Sequence, residues 1–253
     1  MAGHETITAL QVQLASVLAG KDDAIRSLLI TLLAGGHLLI EDVPGVGKTT
    51  LAHGLASSLK SDFGRIQFTA DLLPADIIGV EIFDPAKQQF LFHPGAVFNH
   101  IVLADEINRA PAKVQAALLE AMEERQVTVD GKSRPLPAPF FTLATQNPLE
   151  MVGTYPLPEA QLDRFVFKII VSTPTQEALA DIIHLASRPE TATKGPVTTA
   201  EDMRELIALV RDVVLTEDLR KKIAQLVLAT HPDDKNAPES VKRYVRHGAS
   251  PRA

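Results

Sequence analysis

Glu41-Asp42-Val43-Pro44-Gly45-Val46-Gly47-Lys48-Thr49-Thr50 sets glycines, a lysine and two hydroxyls in one short run. Glycines let successive backbone N–H groups curl around an anion, and a helix starting there adds positive potential. Lys48 reaches the terminal phosphates of a nucleotide, and Thr49 offers its hydroxyl to Mg²⁺. Pro44, Gly45, Val46, Gly47, Lys48, Thr49 and Thr50 are therefore the candidate nucleotide-binding residues. The run departs from G-x-x-x-x-G-K-[ST] at its first glycine, here Asp42, a residue type that tolerates unusual backbone angles but brings negative charge towards phosphate. The bland alternative is a turn feeding a helix, with Lys48 merely solvated.

A second group is Ile101-Val102-Leu103-Ala104-Asp105-Glu106, an apolar run ending in two carboxylates. In open α/β sheets ligands bind at the carboxyl ends of the strands, which is where these acids fall. Asp105 would hold Mg²⁺, through water, and Glu106 would orient and polarise an attacking water. Alone, such a pair is more often a helix cap or a solvated loop. Downstream, Phe140–Thr145 leads into Gln146-Asn147-Pro148, where an amide can hydrogen-bond that water or the γ-phosphate; by itself Asn-Pro is only a turn signal.

Positioning these groups requires parallel strands joined by crossover helices. Apolar runs predict strands over His37–Ile40, Arg65–Thr69, Ile101–Ala104, Phe140–Ala144 and Phe165–Val171. Leu51, Leu55 and Leu59 mark one helix face, and Val114, Leu118 and Met122 another behind Pro111. Glu81–Phe98 and Gln126–Leu136, the latter with Asp130-Gly131 at its turn, read as inserted β-hairpins. After Val171 only helices are expected. A capping box at Thr173-Pro174-Thr175-Gln176 opens one carrying Leu179, Ile182 and Ile183. Thr199 precedes a second with Met203, Leu206, Ile207 and Val210, and Thr216 a third with Leu219, Ile223, Leu226 and Val227. The fold class is thus α/β, a parallel sheet flanked by helices with β-hairpin inserts. It spans residues 1–172 and is followed by a small all-α domain over 173–253.

Composition narrows the partners. The 253 residues are 45% hydrophobic and 22% charged with a net charge of −6, which suits a globular chain and makes nucleic acid no default partner. The chain has no cysteine, which excludes disulfides and thiolate metal sites and fits a cytoplasmic setting. The apolar stretch Leu28–Ile40 is broken by Gly35, Gly36 and His37 and is too short for a membrane span. The histidines show no paired ligand spacing, so Mg²⁺ is the only metal implied. The basic clusters around Lys221 and Lys242 read as solvated helix faces.

Beyond these motifs, Leu103-Ala104-Asp105-Glu106-Ile107-Asn108-Arg109-Ala110, Ala117–Met122, Ala144-Thr145-Gln146-Asn147-Pro148 and Gly153-Thr154-Tyr155-Pro156-Leu157-Pro158-Glu159-Ala160-Gln161-Leu162-Asp163-Arg164-Phe165 give the chain a close resemblance to the MoxR family of AAA+ ATPases. The resemblance implies a P-loop NTPase core with an α-helical lid, ATP and Mg²⁺ as cofactors, sensor 1 at Asn147, an arginine finger at Arg164 and sensor 2 at Arg252. Glu81–Phe98 becomes the helix-2 insert and Gln126–Leu136 the pre-sensor-1 hairpin. Gly95-Ala96 departs from the family's usual Gly-Pro. The resemblance further implies a hexameric ring binding ATP and ADP, client proteins remodelled or matured at the expense of ATP, and a von Willebrand factor A-domain partner. A nucleic-acid motor or metal-chelatase-type accessory ATPase, and a scaffold that binds nucleotide without turnover, are the competing readings. Ser250 and Pro251 look like the start of a helix where the sequence stops, so the lid is expected to be incomplete and Arg252 weakly held.

Overall fold

The computed structural model describes residues 2–18, 20–42, 47–147, 153–171 and 195–250. Five strands form one parallel sheet in the order β2-β5-β8-β1-β9, with β1 Leu38–Asp42, β2 Phe63–Gln67, β5 Ile101–Asp105, β8 Phe141–Gln146 and β9 Phe167–Val171. Each predicted strand is present, shifted by at most a few residues. β5 lies between two neighbours and is covered on both faces, which is why all five of its residues are buried and why it reads as an unbroken apolar run.

Helices cover the faces. The first 36 residues, for which sequence reading assigned no elements, form α1 (Ala2–Val17) and α2 (Asp22–Leu33). Leu10 and Leu14 on α1 and Ile25, Leu28, Leu29 and Leu32 on α2 pack with α3 (Lys48–Ser58) against one face of the sheet. On the other face α5 (Ala112–Glu124) buries Val114, Leu118 and Met122, the stripe visible in the sequence. Pro111 caps α5 instead of occupying its first turn, with extended backbone at φ −57° and ψ 154°. Burying a leucine of this kind contributes about 2 kcal/mol.

Both hairpins form, as β3 Val80–Asp84 with β4 Gln89–His93 and β6 Gln126–Val129 with β7 Lys132–Pro135. They are tied to each other. Glu81 accepts from Lys132 Nζ at 3.0 Å and from Arg134 Nη2 at 2.7 Å, and the Arg134 guanidinium lies 3.8 Å above the Phe92 ring. Lys132 and Arg134 together hold the Glu81 carboxyl below the usual carboxylate range, the Lys132 hydrogen bond being the larger influence. The base of the first hairpin folds onto α4 (Pro74–Ile78). A Cβ at Gly95 would overlap the Ile77 carbonyl there, so glycine is the residue that fits.

The expected boundary at residue 172 is not where contacts divide the chain. The compact units are Met1–Ala208 and Leu209–Ala253. The reason is local: Val197 N and Thr198 N both donate to Ser58 O, and Met203, fully buried, packs with Leu206 and Ile207 into the α1/α3 side of the core. The helix Ala200–Arg211 starts behind Thr199, whose hydroxyl accepts from Asp202 N while Asp202 accepts from Thr199 N. The helix Glu217–Ala229 starts behind Thr216, whose hydroxyl accepts from Leu219 N at 3.3 Å. Thr173–Gln176 and the helix carrying Leu179, Ile182 and Ile183 lie outside the described residues.

His37 joins three elements at the amino edge of the sheet. Its Nδ1 accepts from Thr142 N at 3.0 Å, which leaves the proton on Nε2 to donate to Met122 O at 3.1 Å. Burial, reinforced by the charge of Arg125, pushes the imidazole down to about 4 against the opposing pull of the Met122 carbonyl. The folded protein keeps His37 neutral where an unfolded chain protonates it near 6.5. Its contribution to stability is therefore complete above pH 6.5 and is lost as the pH falls towards 4. Between pH 7.5 and 5 this one residue should remove about 2 kcal/mol of unfolding free energy, the product of the unfilled part of its shift and 1.36 kcal/mol per unit. Urea unfolding at the two pH values measures the slope. A His37→Gln protein, whatever its absolute stability, should have lost that part of it.

Candidate active site

Asp105 ends β5 and Glu106 follows at φ 57° and ψ 48°, a left-handed conformation that is uncommon for a non-glycine residue. The turn Ile107–Arg109 comes next. What holds the two acids is Thr145, fully buried on neighbouring β8. Its hydroxyl donates to Asp105 Oδ1 at 2.7 Å and accepts from Glu106 N at 2.9 Å. A β-branched side chain with restricted χ1 thus fixes a carboxylate and the strained turn after it.

Edge strand β2 supplies the remaining partners. Arg65 and Gln67 are two apart and so share a face of the strand. Arg65 Nη2 lies 2.7 Å from Asp105 Oδ2 and 2.9 Å from Gln67 Oε1. Gln67 Nε2 donates to Glu106 Oε2 at 3.1 Å, and Arg109 Nε lies 2.9 Å from that same oxygen. Both acids thus stand in one network.

Asn147 directly follows β8, between the strand that ends in the acids and β1, which leads into the glycine-rich loop. It is buried, and its carbonyl accepts from Asn108 Nδ2 at 3.4 Å. Gln146 at the end of β8 donates to Glu41 on β1, which also pairs with Lys168 at 3.0 Å. Gln115 clamps the turn after Glu106, donating to Ile107 O, Ala110 O and Tyr155 O.

On β1's side, Gly47 caps α3 at φ 88°, and a Cβ there would overlap Leu18. That is a position glycine alone fills without strain. Lys48, Thr49 and Thr50 form the first turn of α3, with both threonines exposed. Pro44, Gly45 and Val46 lie outside the described residues, as does Arg252. A cavity of about 640 Å³ is lined by residues 20–24, Ser27 and 169–171. Val171 is in register with Asp42, so the cavity lies at the same carboxyl edge of the sheet. Its size suits a nucleoside.

Arg164 stands apart from the acids. Val166 N donates to His37 O and Phe167 is in register with Leu38, which puts Arg164 by the amino edge of the sheet. Its Nη2 lies 3.1 Å from Glu123 Oε2 near the end of α5, a partner other than the neighbouring Asp163 or Glu159.

Sequence reading gave Thr145 and Arg109 no individual role and missed Arg65, Gln67 and the residue 20–24 cavity. Arg65 and Gln67 lie in a run whose only signal is strand propensity, and no local pattern shows that they face Asp105.

Residues 37–167 match the family described as "ATPase family associated with various cellular activities (AAA)". A Bacillus subtilis protein known as uncharacterized protein YeaC is 46% identical over 93% of the chain, and Chaperone MoxR1 of Mycobacterium tuberculosis is 43% identical over 94%. The chain spans 71% of the first relative's length and 63% of the second's. A solved structure from Cytophaga hutchinsonii, provisionally named an ATPase, superposes with a TM-score of 0.90 at 41% identity, covering 99% of this chain and 76% of that one. An α/β P-loop core with a parallel sheet of this order, both acids at its carboxyl edge, is the AAA+ architecture. The chain belongs to the MoxR family of AAA+ ATPases. Among the described residues no helix is long and apolar enough to cross a membrane.

Replacing Thr145 by valine keeps its volume and removes both hydrogen bonds. Leaving Asp105 Oδ1 and the Glu106 amide without the hydroxyl should lower unfolding free energy by about 1–3 kcal/mol. Thr145→Ser should recover most of it, as read from urea midpoints.

Proposed function

We propose that the chain hydrolyses ATP with Mg²⁺ to remodel or mature client proteins. The observation that supports this most is the joint fixing of Asp105 and Glu106 by Thr145 at the edge where the glycine-rich loop meets the sheet. The residues fit the nucleotide: Gly47 turns the backbone into α3, Lys48 meets the phosphates, and the cavity lined by residues 20–24 takes the base. Thr49 and Asp105 would hold Mg²⁺, which neutralises charge on the phosphates when bound. Glu106 takes a proton from water as the water's oxygen attacks the γ-phosphorus. The bond to the bridging oxygen breaks, leaving ADP and inorganic phosphate, while Asn147 orients the water.

Arg164 sits at the edge opposite these groups, so it serves a neighbouring subunit in a ring, a hexamer, and its own site receives the neighbour's arginine. Arg252 acts as sensor 2 from an α-helical lid. The exposed Ile82, Phe83 and Phe90 of the first hairpin supply an apolar surface for a client, and the name of the Mycobacterium relative is that of a chaperone. A von Willebrand factor A-domain protein is the expected partner, in the cytoplasm.

Lys48→Ala should abolish binding of a fluorescent ATP analogue. Glu106→Gln should bind it normally and lose turnover by about a hundredfold or more. A Glu106→Gln protein that hydrolyses ATP at the normal rate would remove Glu106 from the reaction.

Arg164→Ala should leave ATP affinity intact and lower turnover by about a thousandfold. Mixing it with Lys48→Ala protein should restore part of the activity, because the binding-dead subunit still carries Arg164. Phosphate release that is independent of protein concentration, with no rescue on mixing, would place the whole site within one chain.

A further inference from the structure

We propose that Arg65 is a positioning residue that competes with the divalent cation for Asp105 and so sets how tightly the metal–nucleotide pair is held. The inference rests on the assignment of Asp105 to the metal. Asp105 has two oxygens: Thr145 takes Oδ1 and the Arg65 guanidinium takes Oδ2, each at 2.7 Å. The Asp105 side chain is only 12% exposed, so little solvent screens what its second oxygen faces, whereas Arg65, at 48%, has room to swing out. A guanidinium and a divalent cation repel each other, whether the metal touches the carboxylate directly or through water. Metal binding at Asp105 must therefore displace Arg65 or tolerate its charge, and either lowers affinity.

The same guanidinium donates to Gln67 Oε1, and Gln67 donates to Glu106. When Arg65 leaves Asp105, the amide that holds the Glu106 carboxylate loses its own anchor. Metal arrival at one acid thereby loosens the other, the one that must reach a water. Arg65 acts through these two side chains.

The test is a Mn²⁺ titration followed by electron paramagnetic resonance in the presence of ADP, which needs no turnover, on wild type, Arg65→Gln and Arg65→Lys. Arg65→Gln should bind Mn²⁺ about threefold or more tighter, the scale of a partly exposed ion pair. Arg65→Lys, which keeps the charge, should stay near wild type. ADP affinity in EDTA should be equal in all three. A residue that merely shapes the site predicts the opposite sign, because a disordered Asp105 would weaken metal binding. Mn²⁺ affinity unchanged or weaker in Arg65→Gln overturns the inference alone, provided that ADP binding to wild type is metal-dependent. Wild-type protein that binds ADP equally well with and without Mn²⁺ overturns the metal–nucleotide assignment itself, and the inference with it.

Discussion

The Thr145 hydroxyl is the point on which the site depends. One oxygen donates to the Asp105 carboxylate and accepts from the Glu106 amide, so β8 decides where the acids of β5 stand. Parallel pairing makes this possible. With Leu103 opposite Leu143 and Ala104 opposite Ala144, the two strands deliver Thr145 and Asp105 side by side at their carboxyl ends. A slip of one residue would turn Thr145 to the other face of the sheet and leave Asp105 Oδ1 and the Glu106 amide without their shared partner.

The surrounding structure protects that register. β5 is apolar along its whole length and carries α5 on one face and α3 on the other. His37 ties the start of β8 to the end of α5. Gln115, from the first half of α5, grips the turn after Glu106 and the Tyr155 carbonyl together. Tyr155 N in turn donates to Asn108 O at 2.7 Å, so the segment that leads to Arg164 is bonded directly to the turn that follows the acids. The chain thus connects the carboxyl edge, where Asp105 and Glu106 stand, with the amino edge, where Arg164 stands beside Glu123.

Charge is arranged with the same economy. Asp105 and Glu106 lie close together and are each paired with a guanidinium, from Arg65 and Arg109. The hairpins, away from this centre, are held by a separate cluster of Glu81, Lys132, Arg134 and Phe92. Tying them through ionic and cation–π contacts leaves the aromatic pair Phe83 and Phe90 facing solvent at the far part of the first hairpin.

Much of this was legible in the sequence because it is written locally. A buried parallel strand needs an unbroken apolar run, and a helix needs a stripe and a cap. Residues 101–105, the face of Val114, Leu118 and Met122, the caps Thr199 and Thr216, and the places of Lys48 at a helix start and of Asp105 and Asn147 at strand ends follow from such patterns. The extent of the sheet-bearing unit did not follow, because Met203, expected in the helical domain after residue 172, packs with α1 and α3. Nor did the roles of Arg65, Gln67 and Thr145, which depend on which strands lie side by side. Strand order and register are settled by packing the whole core at once, and only they bring a residue of β2 and a residue of β8 to the same carboxylate.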